Sequence, residues 1–259
     1  MDEYLKRIAE SLERAFPPDP DIYFFEKDSA FIWEPARNHF SQVSDISTVD
    51  ISLLKGMDEE IEKVRLNTRA FVEGNLANNV LIWGARGMGK STLIKSVVKA
   101  ASTQSNHLKV IEVSRDDIGQ VDKLLKLIKN INKKFIIFCD DISFDDNETS
   151  YKSLKSVLDG GLIGGLQNVL VYATSNRRHL LSRKTGDSEG FIRWEEEQDE
   201  RLSISDRFGI SIGFYECDQN LYLEIVRSYA KSVGFEMSAK ELNRKAIEWQ
   251  VQRGSRSGR

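Results

Sequence analysis

The chain has 259 residues, 40% of them hydrophobic and 30% charged, with 17 glycines and 4 prolines. This is too apolar and too poor in Pro and Gly for a disordered or collagen-like polymer, and long enough to bury a full core. The net charge of −3 gives no general basic field, so nucleic acid held by bulk charge alone is excluded. Cys139 and Cys217, like His39, His107 and His179, are too scattered for a paired zinc or redox motif. There is no signal-like apolar run at the N-terminus and no run of 18 apolar residues, which reads as a soluble, cytoplasmic protein without a membrane contact.

Tyr4, Leu5, Ile8, Ala9, Leu12, Ala15 and Phe16 recur at helical spacing, and Pro17, Pro18 and Pro20 end that helix. The aromatic and β-branched stretch DIYFFEKDSAFIWEP then predicts one or two short strands, its rings read as packing surface. Residues 36–50 are polar and aperiodic, as in a linker. Ile61, Val64, Thr68, Phe71 and Val72 mark a helix ending near Gly74.

Five apolar runs follow: 79–83, 108–113, 135–139, 168–173 and 210–214. They alternate with amphipathic segments carrying Leu93/Ile94/Val97/Val98, Ile118/Val121/Leu125/Ile128 and Tyr151/Leu154/Val157/Leu158. Strands without polar alternation are covered on both faces, so the pattern predicts an α/β fold with a parallel sheet and crossover helices. Residues 177–205 break the rhythm with a basic half and an acidic half, read as a solvated insertion. Leu221/Ile225/Val226/Tyr229/Val233 and Leu242/Ala246/Trp249 predict two further helices before a basic end, RGSRSGR.

The chemistry concentrates in Gly84-Ala85-Arg86-Gly87-Met88-Gly89-Lys90-Ser91, followed by Thr92, a complete G-x-x-x-x-G-K-[ST] loop between a predicted strand and a predicted helix. By chance this pattern occurs in roughly one chain in a hundred of this length. Glycines let backbone N–H groups approach phosphate oxygens, and the helix N-terminus adds partial positive charge. Lys90 is the candidate for the β- and γ-phosphates, and Ser91 for magnesium. The run FIIFC then delivers Asp140, to hold Mg2+ through water, and Asp141, to polarise the attacking water. Asp145, Asp146 and Glu148 are read as a solvated loop and helix N-terminus, with metal contact the alternative. Asn176, at the tip of the next run, can orient water, or serve only as a turn residue. Arg207 precedes the last run; alone it reads as a surface ion pair.

As a set, the loop at 84–91, the acidic strand at 135–141, Asn176 and Ser205-Asp206-Arg207-Phe208-Gly209 resemble the Walker A, Walker B, sensor 1 and arginine-finger elements of AAA+ ATPases, in that order. Leu54-Lys55-Gly56-Met57-Asp58 resembles the box beside the adenine. The stretches NTRAFVEGNLANNVLIWGARGMGKS, CDDISF, YKSLKSVLDGGL and YATSNRRHLL resemble the bacterial AAA+ ATPases called domain-of-unknown-function family 815. The resemblance, from about residue 50 onward, implies a P-loop NTPase with a five-stranded parallel sheet in the order 5-1-4-3-2. It also implies a partial helical lid, ATP and Mg2+ as ligands, and a homo-oligomer when ATP is bound. The expected division is an N-terminal helical and strand extension over 1–48, a nucleotide-binding core over 49–216 and a lid over 217–259.

Two features depart from the family pattern. Asp141 stands where most members have Glu, which predicts slower hydrolysis. Arg256 and Arg259 lie where a sensor-2 arginine would begin its helix, but the sequence ends first, so it reads as truncated; a basic tail is the other reading. The expected function is an ATPase that couples hydrolysis to conformational change in a protein or nucleic-acid partner. The rivals are a slow ATP-dependent switch or loader and a P-loop kinase of a small molecule. The cluster Arg177, Arg178, Arg183 and Lys184 is read as solvated, with phosphate-backbone contact as its alternative.

Overall fold

A computed structural model describes residues 4–8, 24–142, 148–159, 166–176 and 205–253. Residues 4–8 are helical with Tyr4, Leu5 and Ile8 exposed; the rest of the expected first helix lies outside the described residues. A helical turn at Phe24–Lys27 leads into a hairpin of β1 (Ala30–Glu34) and β2 (His39–Gln42). Helix α1 (Asp58–Val72) opens with three acidic residues that suit its dipole. It ends at Gly74, where the Asn75 N–H reaches back to the Ala70 carbonyl in a Schellman arrangement.

The five expected strands follow as β3 (Val80–Gly84), β4 (Leu108–Glu112), β5 (Lys134–Cys139), β6 (Val169–Ser175) and β7 (Ile210–Phe214). The intervening helices are α2 (Lys90–Gln104), α3 (Val121–Ile128) and α4 (Glu148–Leu158), with α5 (Gln219–Ser232) and α6 (Ala239–Arg253) after the last strand. None of the described helices is long and apolar enough to cross a membrane.

The sheet is seven-stranded and mixed, in the order β2-β1-β4-β5-β6-β3-β7, rather than the expected five-stranded parallel sheet. Counted from β3, the run β7-β3-β6-β5-β4 keeps the order 5-1-4-3-2, and its neighbours are all parallel. The hairpin extends it: β1 lies parallel to β4, with Phe31 opposite Ile111, and β2 is antiparallel to β1. Alternation along β1 explains the docking. Phe31 and Trp33 are buried while Ile32 between them is exposed, so one face of the hairpin continues the core.

Two further readings change. FFEK is a helical turn rather than a strand, because Phe25 packs edge-on to Phe31, Phe40 and Phe135 at 4.8–5.1 Å and needs no ladder partner. The stretch read as a linker contains β2. As an edge strand it has a single buried apolar residue, Phe40, too little for periodicity to reveal.

Each central strand feeds two cores. Along β5, Phe135, Ile137 and Cys139 join α3, α4 and the hairpin, whereas Ile136 and Phe138 join α1, α2 and α5 on the opposite face. A buried polar cluster ties α1 to β6. The Tyr172 hydroxyl accepts from Asn67 Nδ2 at 2.9 Å and shares a 2.8 Å hydrogen bond with Thr68. Lys109 of β4 is also buried, its ammonium donating to the Asp28 carbonyl and to Asn106 Oδ1 at 2.8 Å each. Burial pushes its pKa down.

Candidate nucleotide site

The phosphate-loop sequence begins where β3 meets β7. Gly84 has φ +129°, and a Cβ there would stand 1.9 Å from the Phe214 carbonyl oxygen, so no other residue fits. Ala85 N–H donates to that same oxygen at 3.0 Å. Gly89, in the left-handed region at φ +85°, caps α2 and aims the helix N-terminus into the loop.

Lys90 is buried by the loop around it. Its ammonium donates to the Gly84 and Ala85 carbonyls at 2.8 Å and to Asn176 Oδ1 at 2.9 Å. The other end of that amide, Asn176 Nδ2, donates to Asp141 Oδ1. Ser91 Oγ donates to Asp140 Oδ1 at 2.5 Å, and the Thr174 hydroxyl donates to the same oxygen. Thr174 Oγ1 also accepts the Asp141 N–H at 2.9 Å. Three elements thus converge: the start of α2, the end of β5 and the end of β6. The parallel pairing of β5 with β6 and β6 with β3 brings these ends to one edge of the sheet.

Asp141 has φ +51°. Asp and Asn are several-fold enriched in this region, whereas longer side chains are strained there. The departure from Glu noted in the sequence therefore matches the backbone. Just before it, Cys139 is wholly buried, and burial, with the Glu112 and Asp140 carboxylates, pushes its thiol pKa to about 12.

These residues floor a cleft of about 810 Å³. Its lining includes loop 86–92 and an apolar set, Leu54, Met57, Cys217, Leu221, Ile225 and Tyr229, interspersed with Glu60, Glu216 and Asp218. The box at 54–58 and α5 are held together there, because Gly56 leaves room for Leu221: a Cβ would come within 2.7 Å of its methyl groups. Among the described residues no group of three or more His, Cys, Asp or Glu side chains forms a metal cage. The donors beside the loop are instead oxygens, from Ser91, Asp140 and Thr174.

Arg207 does not line this cleft; its Nε donates to Asp159, which follows α4. Arg256 and Arg259, the cluster 177–184, and Asp145 and Asp146 lie outside the described residues, while Glu148 opens α4. Sequence reasoning missed Thr174 as a site residue. A partial signal was available in spacing: Thr174 lies inside β6, two residues before Asn176, which follows the strand's end. It also read Leu221, Ile225 and Tyr229 only as helix-core positions, although their four-residue spacing makes one stripe facing the cleft.

The fold is similar to that of the RuvB Holliday junction branch migration motor of Thermotoga maritima, with 18% identity and a TM-score of 0.51 over 73% of this chain and 55% of that one. It is also similar to the ORC2 protein of Aeropyrum pernix, with 12% identity and a TM-score of 0.50 over 80% of this chain and 68% of that one. A DNA replication initiation factor gives 17% identity and a TM-score of 0.50, over 77% and 62%. The chain spans little more than half the length of the RuvB chain it matches. At these identities the likeness is one of fold. None of the curated proteins compared matches the sequence. Residues 26–259 match the family described as "Protein of unknown function (DUF815)". With nine-tenths of its length so matched and the AAA+ strand order in its sheet, the chain belongs to the DUF815 family, on the fold of the AAA+ P-loop ATPases.

Proposed function

We propose that the chain binds Mg-ATP in this cleft and hydrolyses it to ADP and phosphate, using the cycle to change the conformation of a partner. The observation that carries the reading is the contact chain Lys90–Asn176–Asp141 beside the Ser91–Asp140 pair, in a cleft that also offers apolar side chains. Leu54, Met57 and Ile225 offer an apolar surface for the base, and loop 86–92 with Lys90 offers donors for the phosphates. Ser91 and Asp140 are the residues that would hold magnesium, which suits an ion that takes one or two protein oxygens and completes its shell with phosphates and water. When bound, the ion neutralises charge on the β- and γ-phosphates.

Asp141 accepts a proton from water as the water oxygen bonds to the γ-phosphorus. The bond from phosphorus to the bridging oxygen breaks, and ADP leaves with that electron pair. Asn176, already hydrogen-bonded to Asp141 and Lys90, orients the water and reports the γ-phosphate. Arg207, outside its own cleft, serves the site of an adjacent subunit in an ATP-bound homo-oligomer.

Two of the similar folds have names that refer to DNA, a Holliday junction motor and a replication initiation factor, which supports a nucleic-acid partner beside a protein one. A slow switch is favoured by one specific observation: the short Asp141 carboxylate is tethered to Asn176. Calorimetry with Mg-ATP and steady-state phosphate release test the two readings together. Absence of ATP binding removes the proposal, and brisk turnover by monodisperse protein removes the switch.

A further inference from the structure

Arg86 is the third residue of the phosphate loop. Its side chain is exposed and lines the cleft, yet it makes no hydrogen bond or ion pair with any described residue. The other cation of the loop is engaged: Lys90 is buried and spends its donors on Gly84, Ala85 and Asn176. The other arginine with a proposed role is engaged elsewhere, since Arg207 pairs with Asp159 and does not line this cleft.

The backbone fixes where Arg86 can act. Its peptide nitrogen is bonded to the very carbonyl carbon whose oxygen, that of Ala85, lies 2.8 Å from the Lys90 ammonium. The Arg86 backbone is therefore next to the carbonyl that holds the lysine head, and the residue is exposed and lines the cleft. A guanidinium carries a planar fork of donors that matches two phosphate oxygens, and an exposed one binds without first breaking an internal contact. The cleft is also rich in carboxylates, with Glu60, Asp140, Asp141, Glu216 and Asp218 on its lining, so a polyanion gains from every cation that faces it.

We infer that Arg86 grips the terminal phosphate of a nucleoside triphosphate bound in its own chain, so that the site distinguishes triphosphate from diphosphate without a neighbouring subunit. The inference rests on the proposed ATP site and adds to it a residue-specific, single-chain source of γ-phosphate recognition.

The test is calorimetry on wild type, Arg86→Lys and Arg86→Ala with Mg-ADP and with a magnesium complex of a non-hydrolysable ATP analogue. It is run at concentrations where sedimentation shows a monomer, with thermal unfolding as the fold check. Arg86→Ala should weaken the triphosphate analogue by about tenfold to a hundredfold and ADP by less than about threefold, with Arg86→Lys between the two. Equal losses for both nucleotides, or no loss for either, would overturn the Arg86 assignment while leaving the ATP site standing. Discrimination that appears only in the oligomer would overturn the single-chain claim. Wild-type protein that binds neither nucleotide would remove the ATP reading and this inference together.

Discussion

Asn176 donates its side-chain amide to the carboxylate of Asp141. The amide oxygen on the same side chain faces the Lys90 ammonium, so the orientation of one amide is fixed by a cation on one side and an anion on the other. On the proposed function, an arriving γ-phosphate would compete for Lys90, and the same side chain would carry that change to Asp141.

Asp141→Asn should retain ATP binding and lose at least about a hundredfold in phosphate release. Asparagine can still accept from Asn176, tolerates the positive φ and leaves Asp140 untouched, but it cannot take a proton. Asp141→Glu should not accelerate turnover, because the longer side chain is strained at φ +51° at a cost of about 1 kcal/mol or more. A glutamate variant faster than the parent would contradict that reading of the backbone.

Lys90→Met should abolish ATP binding while shifting the melting temperature only slightly. The ammonium is buried, so its removal gives up three hydrogen bonds but also relieves the desolvation of a charge. Calorimetry and a thermal melt check both halves; unchanged ATP affinity would end the phosphate-loop assignment.

Arg207→Ala should keep ATP binding, lose turnover and cost little stability, since its pair with Asp159 is part-exposed. An arginine supplied across an interface raises the rate by roughly a thousandfold or more. Specific activity should therefore rise with protein concentration, and mixtures of Arg207→Ala with Lys90→Ala should regain activity that neither has alone. Constant specific activity across a monomer-to-oligomer transition seen by sedimentation would return Arg207 to a structural ion pair.

Stability should fall as pH rises through the alkaline range. Burial holds the Tyr172 hydroxyl and the Cys139 thiol protonated up to about pH 12, against ordinary values of 10.0 and 9.0. Between the unfolded and folded values the native state binds more protons, so unfolding is favoured by each step upward in pH. Tyr172 contributes roughly 2–3 kcal/mol to this loss. Lys109, its pKa lowered by burial, works in the opposite sense. Denaturant melts from pH 8 to 12 read the slope; Tyr172→Phe should flatten it and cost about 1 kcal/mol at neutral pH, because Asn67 and Thr68 keep their bonds to the Asn78 and Val64 carbonyls.

The parallel strands were legible because burial on both faces leaves continuous apolar runs, as in Phe135–Cys139, and the loop was legible because Gly84 and Lys90 mark it at fixed spacing. What escaped was set by tertiary context. His39–Gln42 is a strand only because β1 offers it a ladder, and Phe24–Lys27 turns helical around an aromatic contact distant in sequence. Thr174 escaped for a different reason: its two-residue spacing to Asn176 hints at a shared face, but its role lies in hydrogen bonds to Asp140 and Asp141 past the end of another strand, which that spacing does not reveal.

The contact between Gly84 and Phe214 works as a lever. Strand β7 leaves the sheet through Tyr215–Asp218, which borders the cleft and feeds directly into α5. A hydrogen atom is all that fits between Gly84 and the carbonyl of Phe214, so the start of the loop is packed tightly against the strand that leads into α5. If α5 moves, the contact would carry that movement to the loop, and a ligand in the loop would act on the helix in return. Trp83 is seated on this linkage, its indole N–H on Ser211 Oγ at 3.0 Å and its ring edge-on to Tyr215 at 5.9 Å. Its fluorescence is a built-in gauge of the lever, a signal that Trp83→Phe removes.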